Sequence, residues 1–305
     1  MSKFPSLLQQ FRSFCYQNNP QNIESAIEYF AIFGGMGWKV DMSKPLETII
    51  EEKVLENYRY IHGDITKITQ SNKLHHSLLS AIATGDRREH SAFKKTKIHR
   101  VEGEESIDFL VQNNLLIREQ PQAKPLDPTE EVSDKLLFTL PFMRFWFALV
   151  SPFYKGIKEG EYKEFKDSYN NAKAEFSKFI YERLVLELVK ESFDKSDSIQ
   201  KIGSYWDSDS MLDILAKTKS GKIIAGTWKF SKSKAKKSEL TKIKETCTKI
   251  DLNTDIYLIF SKSGFSNELK NEKSETVKLF AMKNLNVLIK DLSEDDLIEN
   301  TNKRY

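Results

Sequence analysis

The chain has 305 residues, 30% of them charged, a net charge of +3, and only two cysteines. That length suits two domains with ample chain for a core. Cys15 and Cys247 lie far apart in no ligand-like spacing, which excludes a disulfide scaffold and a cysteine zinc site. The first residues lack a signal peptide's basic start and apolar core, so the expected setting is a reducing cytoplasm.

In chain order, residues 22–33 and 45–58 read as amphipathic helices and residues 73–83 as a third. Gly34-Gly35 follows a helical pattern, and no Lys-Ser/Thr comes after it. It therefore reads as a helix end and turn, not a phosphate loop. Pro121, Pro125 and Pro128 forbid a continuing helix. The expected division is a helical domain over 1–120, a linker over 121–135 and a second domain over 136–305. Residues 136–153 are strongly apolar, but Pro141, Arg144 and Pro152 interrupt them, against a lone membrane span. A long helix is expected at 172–193, then strands at 199–206, 211–217 and 222–230. A basic helix at 235–248, a strand at 256–260, a helix and a short strand at 287–289 complete the pattern.

Within that pattern Asp213 interrupts an apolar strand, a place that disfavours Asp unless something holds it. The turn Lys219-Ser220-Gly221-Lys222 leads to the next strand. Alternation there sends Thr227 and Lys229 one way and Trp228 and Phe230 the other. Glu182 sits in an otherwise apolar stripe with Phe179, Leu186, Val189 and Phe193, where an unpaired carboxylate is costly. It serves either a site or a structural ion pair. Lysines dominate from 217 to 249, including Lys232, Lys234, Lys236 and Lys237, against Glu239 and Glu245. Such a face suits a polyanion, or is simply solvated.

These segments resemble a known family. Phe145-Trp146, Glu182, Gly203-Ser204-Tyr205-Trp206, Met211-Leu212-Asp213-Ile214-Leu215-Ala216, Gly226-Thr227-Trp228-Lys229-Phe230 and Ser261-Lys262-Ser263-Gly264-Phe265 occur in order. Together they resemble domain of unknown function 234, a PD-(D/E)XK-type region found after archaeal-type DEXX-box ATPases. Residues 27–35 resemble the lid of those proteins, and residues 74–119 their winged helix. No Gly-x-x-x-x-Gly-Lys-(Ser/Thr) is present. The resemblance implies a restriction-endonuclease-like αβββαβ core behind an all-α, winged-helix domain. It also implies Mg²⁺-dependent DNA hydrolysis, with Glu182 and Asp213 as metal ligands and Lys229 placing the water. Two residues depart from the pattern: Met211 replaces a Glu, and Thr227 replaces the motif's acid.

Thr227 divides the functional expectation. Its neutral hydroxyl is a weak substitute for a magnesium-binding carboxylate. Either Glu239 or Glu245 on the following helix supplies the missing acid, making Glu239 catalytic, or the domain persists as a scaffold without chemistry. Arg87, Arg88, Lys94 and Lys95, with Lys97 and Arg100, offer phosphate contacts. Glu102, Glu104, Glu105 and Asp108 on the next helix oppose major-groove readout. The expected partner is DNA, bound by those cations and by Lys232, Lys234, Lys236 and Lys237. The alternative is a non-catalytic, protein-directed regulator, and no membrane role is expected.

Overall fold

The computed structural model describes residues 4–123, 132–193, 195 and 197–298. The proline-bearing stretch 124–131, at the heart of the expected linker, lies outside them. Two compact units divide the chain. The first takes in Met1–Glu119, Ser133–Ile180 and Asp291–Tyr305, the second Gln120–Val132 and Tyr181–Lys290.

The first unit begins with α1 (Leu7–Asn18) and α2 (Ile23–Phe33). Ser6 caps α1 in a reciprocal box with Gln9, and Asn22 caps α2, so the Gln9 and Ser25 amides of the two first turns are satisfied by side chains. Gly34 ends α2 with its N–H on the Phe30 carbonyl, and Gly35 takes a positive φ, as a terminating turn requires. Next come α3 (Leu46–Ile50), prolonged by a π-helical turn over Glu51–Leu55, and α4 (Tyr58–Ile68). Then follow α5 (Lys73–Thr84), α6 (Glu89–Thr96) and α7 (Arg100–Gln112). After α7, β1 (Leu116–Glu119) pairs antiparallel with β2 (Lys135–Phe138).

The apolar stretch after β2 is core of this first unit. It forms α8 (Pro141–Phe145) and a π-helical turn over Trp146–Val150. Phe142, Phe145, Trp146 and Phe147 are fully buried. Trp146 stacks on Tyr58 at 5.3 Å, and Phe142 meets Trp38 edge-on at 5.1 Å. Each such ring contributes about 2–3 kcal/mol by burial alone. Arg144 is tolerated there because its guanidinium lies 4.3 Å over the Phe176 ring and bonds the Phe176 carbonyl. No helix of the described residues is long and apolar enough to cross a membrane.

After α9 (Tyr154–Glu159), α10 runs over Lys163–Phe193, nine residues earlier than the sequence suggested (163 against 172), and leads into the second unit. That unit holds a five-stranded sheet in the order β3 (Ile199–Trp206), β4 (Met211–Thr218), β5 (Ile223–Lys229), β6 (Ile256–Ser261), β7 (Val277–Ala281). The first two pairings are antiparallel and the last two parallel. The β4–β5 turn uses Gly221 at φ 94°, held by the Asp197 carboxylate on the Ser220 amide and hydroxyl. The crossover to β6 is α11 (Lys237–Lys249), and α12 (Asn267–Asn271) precedes β7. Residues 287–289, expected as a strand, belong to a 3₁₀ turn over Met282–Ile289. The edge strand is instead Val277–Ala281, whose parallel pairing with β6 no local pattern announces.

One face of this sheet packs against α11 through Leu215, Ala225, Ile259, Leu240, Ile243 and Cys247. The opposite face carries Trp228, Phe230 and Phe260, with Tyr181 of α10 5.5 Å from Phe230. The chain then returns to the first unit. Arg12 of α1 binds both Asp296 carboxylate oxygens, at 2.6 and 2.9 Å, and the Ile298 N–H donates to Ser13 Oγ.

Candidate functional site

The β4–β5 register pairs Ile214 with Gly226, which brings Asp213 opposite Thr227. The Thr227 hydroxyl donates to Asp213 Oδ2 at 2.5 Å, and the Trp228 N–H donates to the same oxygen at 3.3 Å. The Asp213 carbonyl accepts the Ser204 hydroxyl at 2.8 Å, so backbone and side chain are both fixed. Two residues along β5, Lys229 Nζ makes a 2.8 Å ion pair with Glu239 Oε1 in the first turn of α11. Both side chains are mostly shielded, 23% and 21% exposed, which strengthens the pair above a surface bridge. Asp213, Thr227, Lys229 and Glu239 thus share the α11 side of the sheet, as alternation requires.

Glu182 is half-buried on α10, one residue after Tyr181, which packs among the rings of the other face. Among the described residues no three His, Cys, Asp or Glu side chains gather as a metal-binding group. Glu182, Asp213 and Glu239 therefore form no such set. Glu245 is exposed on α11. Asp207 closes its own loop, accepting the Asp209 and Ser210 amides at 2.9 and 2.6 Å and the Tyr205 hydroxyl. Burial raises the Asp207 carboxyl, but those hydrogen bonds outweigh it and hold it below the usual range.

The cations differ in what they have to spare. Lys237 is tied to Glu272 at 2.5 Å, whereas Lys232, Lys234 and Lys236 are exposed on the loop between β5 and α11. In the first unit Arg87 lies 5.2 Å over the Phe179 ring, and the backbone of Arg88 pairs antiparallel with that of Lys135. Lys95 donates to Thr84 Oγ1, and Lys94 is exposed. Arg118 pairs with Glu89 and Asp108. The solvent side of α7 carries Glu102, Glu105 and Asp108.

The profile of domain of unknown function 234, described as archaeal and bacterial proteins of unknown function, matches residues 146–243. That span contains Glu182, Asp213, Thr227, Lys229 and Glu239. No curated protein and no solved structure matches the chain.

Proposed function

We propose that this chain binds nucleic acid through a nuclease-like domain that does not cut it. The strand and helix order from α10 through β3, β4, β5 and α11 to β6 suits a restriction-endonuclease-like core. Helices α5, α6 and α7 followed by the β1–β2 ribbon have the order of a winged helix. The observation that carries the reading is the Asp213–Thr227 hydrogen bond in the place where the motif expects two acids.

Magnesium wants several hard anionic oxygens in near-octahedral array. Here one Asp213 oxygen already accepts two internal donors, and Glu239 is engaged by Lys229. That donor set does not fit the ion, so no hydrolytic step is assigned to it. Thr227 instead satisfies Asp213, Glu239 satisfies Lys229, and the paired strands stay fixed beneath an exposed lysine loop.

The test is incubation with supercoiled and single-stranded DNA plus Mg²⁺ or Mn²⁺, beside a binding titration. Binding without cleavage is expected. Cleavage lost in both Asp213→Ala and Glu239→Ala would establish an enzyme whose acid has moved onto α11. Failure to bind at low salt would leave a protein-directed role. The acids on the solvent side of α7 favour that role for the first unit, because they repel a phosphate backbone.

A further inference from the structure

Two loops leave the carboxyl ends of the parallel strands β5 and β6, the end of an open α/β sheet where ligands are usually bound. They are laced together. The Lys262 N–H donates to the Lys229 carbonyl at 2.9 Å, and the Ala235 N–H to the Gly264 carbonyl at 2.9 Å. The Ser266 N–H donates to the Ala235 carbonyl at 2.8 Å, and the Ser263 hydroxyl to the Ser231 carbonyl at 2.8 Å. Ala235 is fully buried by this seam, while its neighbours Lys234 and Lys236 are exposed. Lys232 is exposed two residues earlier.

None of these three ammonium groups enters an ion pair among the described residues, whereas Lys229 and Lys237 are neutralised by Glu239 and Glu272. The first turn of α11 adds its amide dipoles behind the same loop. Point charges on flexible stems, spread along a fixed backbone, match a ligand with repeating negative charge better than a single phosphate. Nothing in the set supplies the forked geometry that reads base edges.

We infer that the β5–α11 loop, through Lys232, Lys234 and Lys236, is where a nucleic-acid strand is held by its sugar-phosphate backbone, without sequence readout. The inference rests on the proposed nucleic-acid-binding function and assigns its surface to the second unit. The cations on and just before α6 do not share the role: Lys95 is bonded to Thr84, Arg87 lies over the Phe179 ring, and exposed Lys94 has the acidic α7 surface as its neighbour.

Fluorescence anisotropy of the full chain with labelled single-stranded and duplex DNA, over a salt series, tests this. The triple replacement Lys232→Ala, Lys234→Ala, Lys236→Ala should weaken binding at least about tenfold and lower the salt slope by about 2–3. Single replacements at each position should give about a threefold loss, which guards against a fold defect in the triple variant. Lys94→Ala with Lys95→Ala should stay within about twofold of the parent. A parent that binds and a triple variant that binds equally well would overturn the assignment alone. A parent that binds neither DNA would overturn the proposed function with it.

Discussion

Thr227 and Asp213 are joined by a 2.5 Å hydrogen bond, from a neutral hydroxyl to a carboxylate. Two acids so close would repel unless a cation lay between them. Thr227→Glu should therefore lower stability by about 1–2 kcal/mol in chelator and regain it with Mn²⁺. Thr227→Val should lose a similar amount, with no response to the metal. Thermal melting with and without Mn²⁺ checks both. Equal melting of Thr227→Glu in the two conditions would end the comparison with a nuclease centre.

Glu239 meets Lys229 as a counter-ion. Glu239→Gln leaves a mostly shielded ammonium without its partner, at an expected cost of about 1–2 kcal/mol. The released positive charge lies beside the lysine loop, so DNA affinity should rise about two- to threefold at low salt. Reduced affinity would show that Glu239 acts on the ligand in some other way.

His62 and His76 make the first unit sensitive to mild acid. Burial, then Lys158, lowers the His62 pKa from the usual 6.5; burial, then His62 and His75, lowers that of His76 from 6.5. The unfolded chain then binds more protons than the folded one. The stabilisation is complete above the unfolded value of 6.5 and is lost as pH falls below it. Denaturant midpoints should fall between about pH 7.5 and pH 5.5, and His62→Gln with His76→Gln should flatten the slope. Asp296 belongs to a different window. The Arg12 hydrogen bonds hold its carboxyl below 3.8, so its contribution fades only as pH falls below that value. A flat profile above pH 5 would contradict the histidine assignment.

Two glycines allow backbone or side chain to approach closely, with different tolerance. A Cβ on Gly226 would stand 2.6 Å from the Leu258 carbonyl oxygen, which the β5–β6 pairing holds in place. A Cβ on Gly203 would meet Gln122 Nε2 at 2.6 Å, the free end of a flexible side chain. Gly226→Ala should cost about 2 kcal/mol or more and Gly203→Ala less than about 1. Urea unfolding of the two variants checks the order, and the reverse order would show that β5 and β6 separate easily.

The β4–β5 hairpin was legible because its signals are local. Asp213 in an apolar run, a Gly turn and the alternation of Thr227, Trp228, Lys229 and Phe230 fix strand, turn and facing. The same alternation foretold that Thr227 and Lys229 would share one face and Trp228 and Phe230 the other. What they do to one another was less legible. Glu239 was nominated as a displaced ligand, but only the length of the loop from Lys229 decides that it reaches the ammonium. The strand at Val277–Ala281 and the early start of α10 at Lys163 escaped because pairing and packing, not local propensity, define them. The apolar stretch from Leu136 was expected to open the second domain, whereas Ser133–Ile180 groups with the first unit. The Arg12–Asp296 contact spans 284 residues and leaves no mark in either neighbourhood.

That contact has a bearing on how the chain is made. Synthesis is vectorial, and the first unit's sequence is interrupted at Ile180 and resumes only at Asp291. Every residue of the second unit has therefore been added to the growing chain before Asp296 reaches Arg12. The unit that begins first is finished last. A translation stop just past Lys290 would release a complete second unit attached to a first unit whose opening helix has lost its ionic partner.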